Sequence, residues 1–213
     1  LVQPADRPII IGWDSVAGTA TEAELQGDAR SQHVAVAAKV IRKNLRRLVQ
    51  LIDDEAIALV VVNQRYEKIP MGGMPMRGGT SETYGGGGIK YHTSIRLEVD
   101  MVRKLWANES AKNAGLPPIG QVNRVKVRKN KINDPHHQEE YALIYGRGAE
   151  NAWTIYQDLK RRGIISVGGA WSKFTDPTIL GGRSFRGWQE LANLMAEDPE
   201  LFATLQAIYF EGR

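Results

Sequence analysis

Three kinds of apolar pattern run along this chain, and each predicts a different element. Short continuous runs in residues 8–18 (PIIIGWDSVAG) and 56–62 (AIALVVV) have the length and β-branched content of buried strands. Alternation in residues 93–100, 122–131 and 139–145 predicts half-buried strands. Asp134-Pro135-His136-His137 is a turn between the last two, so they form an antiparallel hairpin, and residues 102–120 read as a polar connection. A period near 3.6 marks residues 34–52, where Val34, Ala37, Ala38, Ile41, Leu45, Leu48, Leu51 and Ile52 share one helical face. Thr21 and Glu24 have capping-box spacing for a short helix before it. Toward the C-terminus, Trp153, Tyr156 and Leu159 line a helix ended by Gly163. Residues 183–195 and 199–210 read as two further helices, with Pro199 suited to a first turn.

Helices between the early strands imply parallel neighbours there, whereas the hairpin is antiparallel. The expected class is therefore α/β, with a mixed, mainly parallel sheet flanked by helices. A break near residue 150 separates a core, 1–150, from a small C-terminal lobe, 151–213. Residues 66–88 fit no period and hold eight glycines, three methionines and two prolines. A loop of that length in a compact domain is functional or disordered. We expect it to be largely disordered in a lone chain.

Composition changes the picture only in places. Hydrophobic content of 42% and charged content of 24% are those of an ordinary globular protein. No window approaches the roughly 18 apolar residues of a membrane span. The N-terminus lacks the basic-then-apolar order of a signal peptide. It also lacks an initiator Met and opens almost directly on a strand, so a partial chain is expected. The absence of cysteine excludes disulfides and thiolate metal sites and suits a reducing compartment. The net charge of +4 permits a polyanionic partner, and its distribution is more telling. Lys39, Arg42, Lys43, Arg46 and Arg47 crowd one side of the 34–52 helix with no acid among them. A solvated face mixes signs, so this one points to an anion.

Candidate chemistry sits at strand ends. Asp14-Ser15 closes the first apolar run as nucleotide hydrolases place a carboxylate behind Mg²⁺. Asn63-Gln64 closes the second with two amides where an α/β sheet meets a ligand crevice. Lys129 and Lys131, two apart on a strand, point the same way and suit phosphate charge. His136-His137 is not expected to hold a metal, because adjacent histidines rarely converge on one ion.

Taken in order, DSVA with EAELQGD, the basic helix, VNQ, GGGGIKYHTSIRL, RVKVRKNKI, LIYGRG and GGAW resemble the bacterial and phage RecA-type recombinases, from about residue 8 to 195. The resemblance implies a RecA-like P-loop NTPase core and an ATP- and Mg²⁺-dependent, DNA-stimulated ATPase. Such a protein forms a helical filament on single-stranded DNA, pairs it with double-stranded DNA and works in the cytoplasm. It implies that Asp14 holds the Mg²⁺ shell through water beside Ser15, and that Gln64 senses the γ-phosphate. Lys129 and Lys131 reach the phosphates from a neighbouring protomer. Tyr145 lies near the adenine, with Pro135 on the adjoining surface. The two DNA-binding loops match residues 24–33 and 66–88, with Arg30, Lys39, Arg46, Gly85 and Gly86 toward DNA and Lys90 and Tyr91 at the subunit interface. Arg77 is a further candidate for DNA phosphates, and Met71, Met74 and Met76 for wedging between bases.

Departures from the pattern matter as much. The second loop is longer than is common, and Lys39 stands where Arg is usual, forfeiting bidentate phosphate contacts. No G-x-x-x-x-G-K-[ST] motif occurs in these residues, so the chain alone is expected to be inactive on ATP. The rival readings are a noncatalytic recombinase paralogue or mediator, and a helicase of the same superfamily.

Overall fold

The computed structural model describes residues 8–26, 34–53, 56–67, 81–84 and 87–211. It divides into two compact units, Leu1–Ser94 and Ile95–Arg213.

In the first unit the order is β1 (Ile9–Trp13), α1 (Glu22–Gln26), α2 (Val34–Asp53), β2 (Ile57–Val61), β3 (Arg65–Glu67), β4 (Ser81–Thr83) and α3 (Gly87–His92). β1 and β2 are parallel, with Ile9 opposite Ile57 and Trp13 opposite Val61. α2 crosses between them, as a parallel pair requires. The core is small: Val16, Ile41, Leu45 and Ile89 are buried, with Trp13, Val61 and Tyr84 against them. The α1 and α2 expectations hold, but the expectation of two buried strands does not. Ile10 is 75% exposed and Val60 55% exposed. Among the described residues this sheet has two strands only, and the packed elements meet the face bearing Trp13 and Val61. Leu51 is also exposed rather than part of the buried helical face.

A second correction concerns the glycine-rich stretch, which is not structureless at its ends. Arg65, Tyr66 and Glu67 pair antiparallel with Thr83, Glu82 and Ser81. Such short polar strands carry no periodicity to read. Residues 68–80, 85 and 86, including Met71, Met74, Met76, Arg77, Gly85 and Gly86, lie outside the described residues, as does Arg30.

The second unit runs β5 (Ile95–Leu105), α4 (Glu109–Asn113), β6 (Gly120–Asn130), β7 (Gln138–Ile144), β8 (Gly148–Glu150), α5 (Asn151–Arg161), β9 (Ile165–Gly168), β10 (Trp171–Phe174), β11 (Ser184–Phe185), α6 (Gly187–Glu197) and α7 (Pro199–Glu211). β5 to β8 form an antiparallel sheet in chain order. The β6–β7 hairpin is as expected. The connection over 102–120 is not, because β5 continues to Leu105, opposite Gly120. A register shift between Met101 and Arg103 breaks the alternation there, so the sequence loses its pattern while the ladder goes on. The mixed α/β class stands. Its parallel share among the described residues is the β1–β2 pair.

α5 joins two apolar clusters. Trp153 packs with Val122, Ala142 and Ile144 of the sheet. Ile155, Tyr156 and Leu159 pack with Ile165, Phe174, Phe185, Leu191, Met195, Leu201 and Leu205. The helix ends at Gly163, whose φ of +74° is the left-handed conformation glycine tolerates. Asp158, only 6% exposed, sits on the buried side between Arg161 (2.5 Å) and Arg162 (3.3 Å). Arg162 also donates to the Ile208 carbonyl of α7 at 2.8 Å, and Arg161 reaches Glu139 of β7 at 3.6 Å. These bonds tie α5 to both neighbours.

Candidate functional site

In the first unit, the parallel β1–β2 pairing delivers Asp14 and Asn63-Gln64 at the same ends of adjacent strands. Backbone bonds continue past the strands: Val62 N donates to Trp13 O at 2.9 Å and Val16 N to Val62 O at 3.1 Å. The Asp14–Ser15 peptide is cis. Ser15 then starts a tight turn. Its hydroxyl accepts from Gly18 N at 3.2 Å, and its carbonyl accepts from the Thr19 hydroxyl at 3.0 Å. The Trp13 indole donates to that same Thr19 hydroxyl at 2.8 Å. Asp14 is left exposed at the end of β1, with no ion pair among the described residues.

Asn63 has a role the sequence did not disclose. Its amide donates to the Tyr84 carbonyl at 2.8 Å, and its Oδ1 accepts from Gln64 N at 2.9 Å. One side chain thus fixes the end of β2 to the residue that precedes Gly85 and Gly86. Gln64 itself is exposed.

Lys39, Arg42, Lys43, Arg46 and Arg47 are all exposed on α2. α3 packs against this helix at Gly88, where an added Cβ would lie 2.9 Å from the Cβ and Cγ of Arg42. Only glycine allows so close an approach. α3 presents Tyr91 outward, 78% exposed, and holds Lys90 half-buried.

The second unit carries the other candidates. Lys129 is half-buried near the end of β6, and Lys131 is exposed just beyond it. Between them Asn130 accepts from Ile132 N at 3.0 Å and Asn133 N at 3.2 Å, an Asx turn that fixes the chain leaving β6. Burial, then the charges of Lys131 and Arg96, push the Lys129 pKa below the usual lysine value. Pro135 lies in the loop that follows. His136, with φ of +75°, donates its backbone N–H to Val127 O at 3.0 Å and closes the hairpin.

Tyr145 is elsewhere. It follows β7, half-exposed, and its N–H donates to Ile119 O at 3.0 Å, at the start of β6. Ten residues of strand separate Ile119 from Lys129, about 30 Å at the usual rise. Tyr145 and the lysine pair therefore occupy opposite ends of one sheet. Asp14, Ser15 and Gln64 belong to the first unit; Lys129, Lys131, Pro135 and Tyr145 belong to the second. Among the described residues no three His, Asp or Glu side chains converge as a metal site.

The RecA N-terminal domain family matches residues 4–150. The chain is similar to the protein RecA of Syntrophobacter fumaroxidans, 29% identical over 92% of this chain and 53% of that protein. It is 31% identical to the protein RecA of Campylobacter jejuni over 90% of this chain and 52% of that protein. For the protein RecA of Salinispora arenicola the figures are 30%, 97% and 54%. The chain spans about half the length of the curated relatives it matches.

Proposed function

The chain belongs to the RecA family, and from that premise we propose that it is part of an ATP-dependent recombinase that assembles on single-stranded DNA and pairs it with a duplex. The observation that carries this reading is the length of β6. Tyr145 at one end and Lys129 and Lys131 at the other are too far apart to grip one nucleotide from a single copy. If both contact nucleotide, each nucleotide is held by two copies, and each copy touches two nucleotides. A head-to-tail contact of that kind is heterologous, and it builds a helix unless its rotation closes a ring.

Within such an assembly, Asp14 and Ser15 have the hard oxygen donors that suit an Mg²⁺ hydration shell, and no neighbouring cation neutralises Asp14 among the described residues. Gln64 stands at the same sheet end and is placed to orient a water or sense a phosphate. Lys129 and Lys131 supply positive charge to phosphate oxygens, where charge builds as the terminal group is transferred. MgATP supplies the phosphoryl group and its metal. The chain's residues orient it and couple its state to DNA. The coupling runs through Asn63, which joins the Gln64 end of β2 to Tyr84 and so to Gly85 and Gly86. In this reading Lys39, Arg46 and Arg30 contact the DNA phosphates, and Lys90 and Tyr91 the adjoining copy. The domain division at 150, with 151–213 as a lobe of its own, and a cytoplasmic location belong to the same reading.

The test uses the full-length protein with Lys129 and Lys131 both changed to Ala. DNA-dependent ATP hydrolysis and strand exchange are expected to vanish while the circular dichroism spectrum is kept. Undiminished turnover would sink the assignment, and fork unwinding without strand exchange would favour the helicase reading.

A further inference from the structure

We propose that Arg96 is the third cation of an anion site with Lys129 and Lys131, and that the site takes the terminal phosphates of a nucleoside triphosphate held by another copy of the chain. The proposal rests on the reading of the two lysines given above and adds to it a residue from a different strand.

The register of the sheet makes the site. Arg96 stands opposite Lys129, and Leu97 stands opposite Val127. Arg128 is therefore an extra residue on β6, a β-bulge of the kind that re-aims side chains near functional sites. Without it Arg128, not Lys129, would face Arg96. Arg128 is spoken for: it donates to both oxygens of Glu98, at 3.0 and 2.7 Å.

The cations earlier on β6 are paired in the same way. Lys126 lies between Glu98 (3.9 Å) and Asp100 (3.6 Å), and Arg124 meets Glu140 at 2.7 Å. Two of the cations around the bulge differ. Among the described residues neither Arg96 nor Lys131 forms an ion pair, and the Lys129 pKa is lowered by burial and then by these two neighbours. Like charges directly opposite one another weaken a ladder. Three cations gathered in that way are stabilised by a multivalent anion. A guanidinium fork and two ammonium groups also suit different phosphates: the fork grips two oxygens of one, and the ammoniums act as point charges on its neighbour.

The 213-residue chain can be titrated with inorganic tripolyphosphate at low salt and followed by ¹H–¹⁵N spectra and the Nζ signals of lysine. Binding on the order of millimolar is expected, with shifts gathered at residues 95–97 and 128–132. Arg96→Gln should weaken it about tenfold, the scale of one charge-assisted hydrogen bond, and should raise the Lys129 pKa. Arg96→Lys should keep most of the affinity. If Arg96→Gln binds like the parent while a Lys129→Gln, Lys131→Gln pair does not, the role of Arg96 is refuted and that of the lysines survives. If the lysine pair binds like the parent, both fall. Absence of binding by the parent chain overturns the site. Should Arg96→Gln lose its folded spectrum, the Arg96→Lys chain decides: loss of binding with a parental fold contradicts a charge-based site.

Discussion

Gly88 is a close approach between the basic helix and the helix that carries Lys90 and Tyr91, which makes Gly88→Ala an informative substitution. The new Cβ would lie 2.9 Å from the Cβ and Cγ of Arg42 and 3.2 Å from its Cδ, inside the ~3.5 Å at which carbons pack best. Overpacking of this sort costs about 1–3 kcal/mol. The helix gains up to about 1 kcal/mol when Gly becomes Ala. A net loss of about 0.5–2 kcal/mol is expected from these opposing effects. Arg42→Ala removes the Cγ and Cδ and leaves the Cβ, so it should relieve about half of the clash. The two changes should couple by about 0.5–1 kcal/mol, above the ~0.3–0.5 kcal/mol scatter of independent sites. Because the contact lies within the first unit, the measurement should be local. Native-state hydrogen exchange at the Thr93 amide, which bonds Ile89 O at 3.2 Å, reports opening of the α3 C-terminus. Strict additivity, or a stabilised single variant, would refute the packing argument.

Three further outcomes are expected. Asp158→Ala should destabilise the second unit by about 2–3 kcal/mol in urea unfolding. It removes a buried carboxylate between two arginines, and their partial exposure keeps the cost below that of stranding a buried charge. Burial raises the Glu140 pKa, but hydrogen bonds from Arg124 and Arg103 outweigh it and hold the carboxyl below its usual value. Its stabilising contribution should therefore be complete above the ordinary glutamate pKa and lost as pH falls through the depressed one. Glu140→Gln should flatten that acid limb in unfolding midpoints taken from pH 7 downward, and an unchanged limb would place the loss elsewhere. Arg46→Ala should weaken single-stranded DNA binding and reduce the salt slope by ~1 or less, since one phosphate contact is removed. An unchanged slope would return the basic helix to an ordinary solvated face.

What the sequence disclosed follows from which interactions are local. α5 was legible because its burial is set by its own period: Trp153, Tyr156 and Leu159 are all buried, and the stop at Gly163 is a local backbone property. The apolar runs at β1 and β2 signalled strands correctly, but a run cannot say what covers it, and Ile10 and Val60 are exposed. Arg96 was invisible for a different reason. It meets Lys129 only through cross-strand register, and a bulge sets that register. An ideal alternation would have put Arg128 there, and Arg128 has a carboxylate partner. Asn63 was noticed as an amide at a strand end, yet its bond to Tyr84 spans twenty-one residues and the whole glycine-rich connection.

The two sheets place their chemistry by opposite rules, and that difference bears on how the protein works. In a parallel pair all strands finish at the same end, so β1 and β2 gather Asp14, Asn63 and Gln64 in one place. In an antiparallel pair consecutive strands finish at opposite ends, so β6 leads toward Lys129 and Lys131 while β7 leads back to Tyr145. The first arrangement concentrates a site within one copy, and the second distributes contacts along a rigid span. Under the proposed function, a nucleotide set between copies would sense both at once: a carboxylate and amides at a parallel sheet end and cationic contacts from an antiparallel one. A binding protein with no catalytic task would gain nothing from leaving Arg96 and Lys131 without ion pairs among the described residues beside Lys129. The charge pairing everywhere else on β6 means that neutralising them was open to this fold. Arg96 and Lys131, without ion pairs among the described residues and at the end of β6 remote from Tyr145, are what the proposed anion from another copy would neutralise.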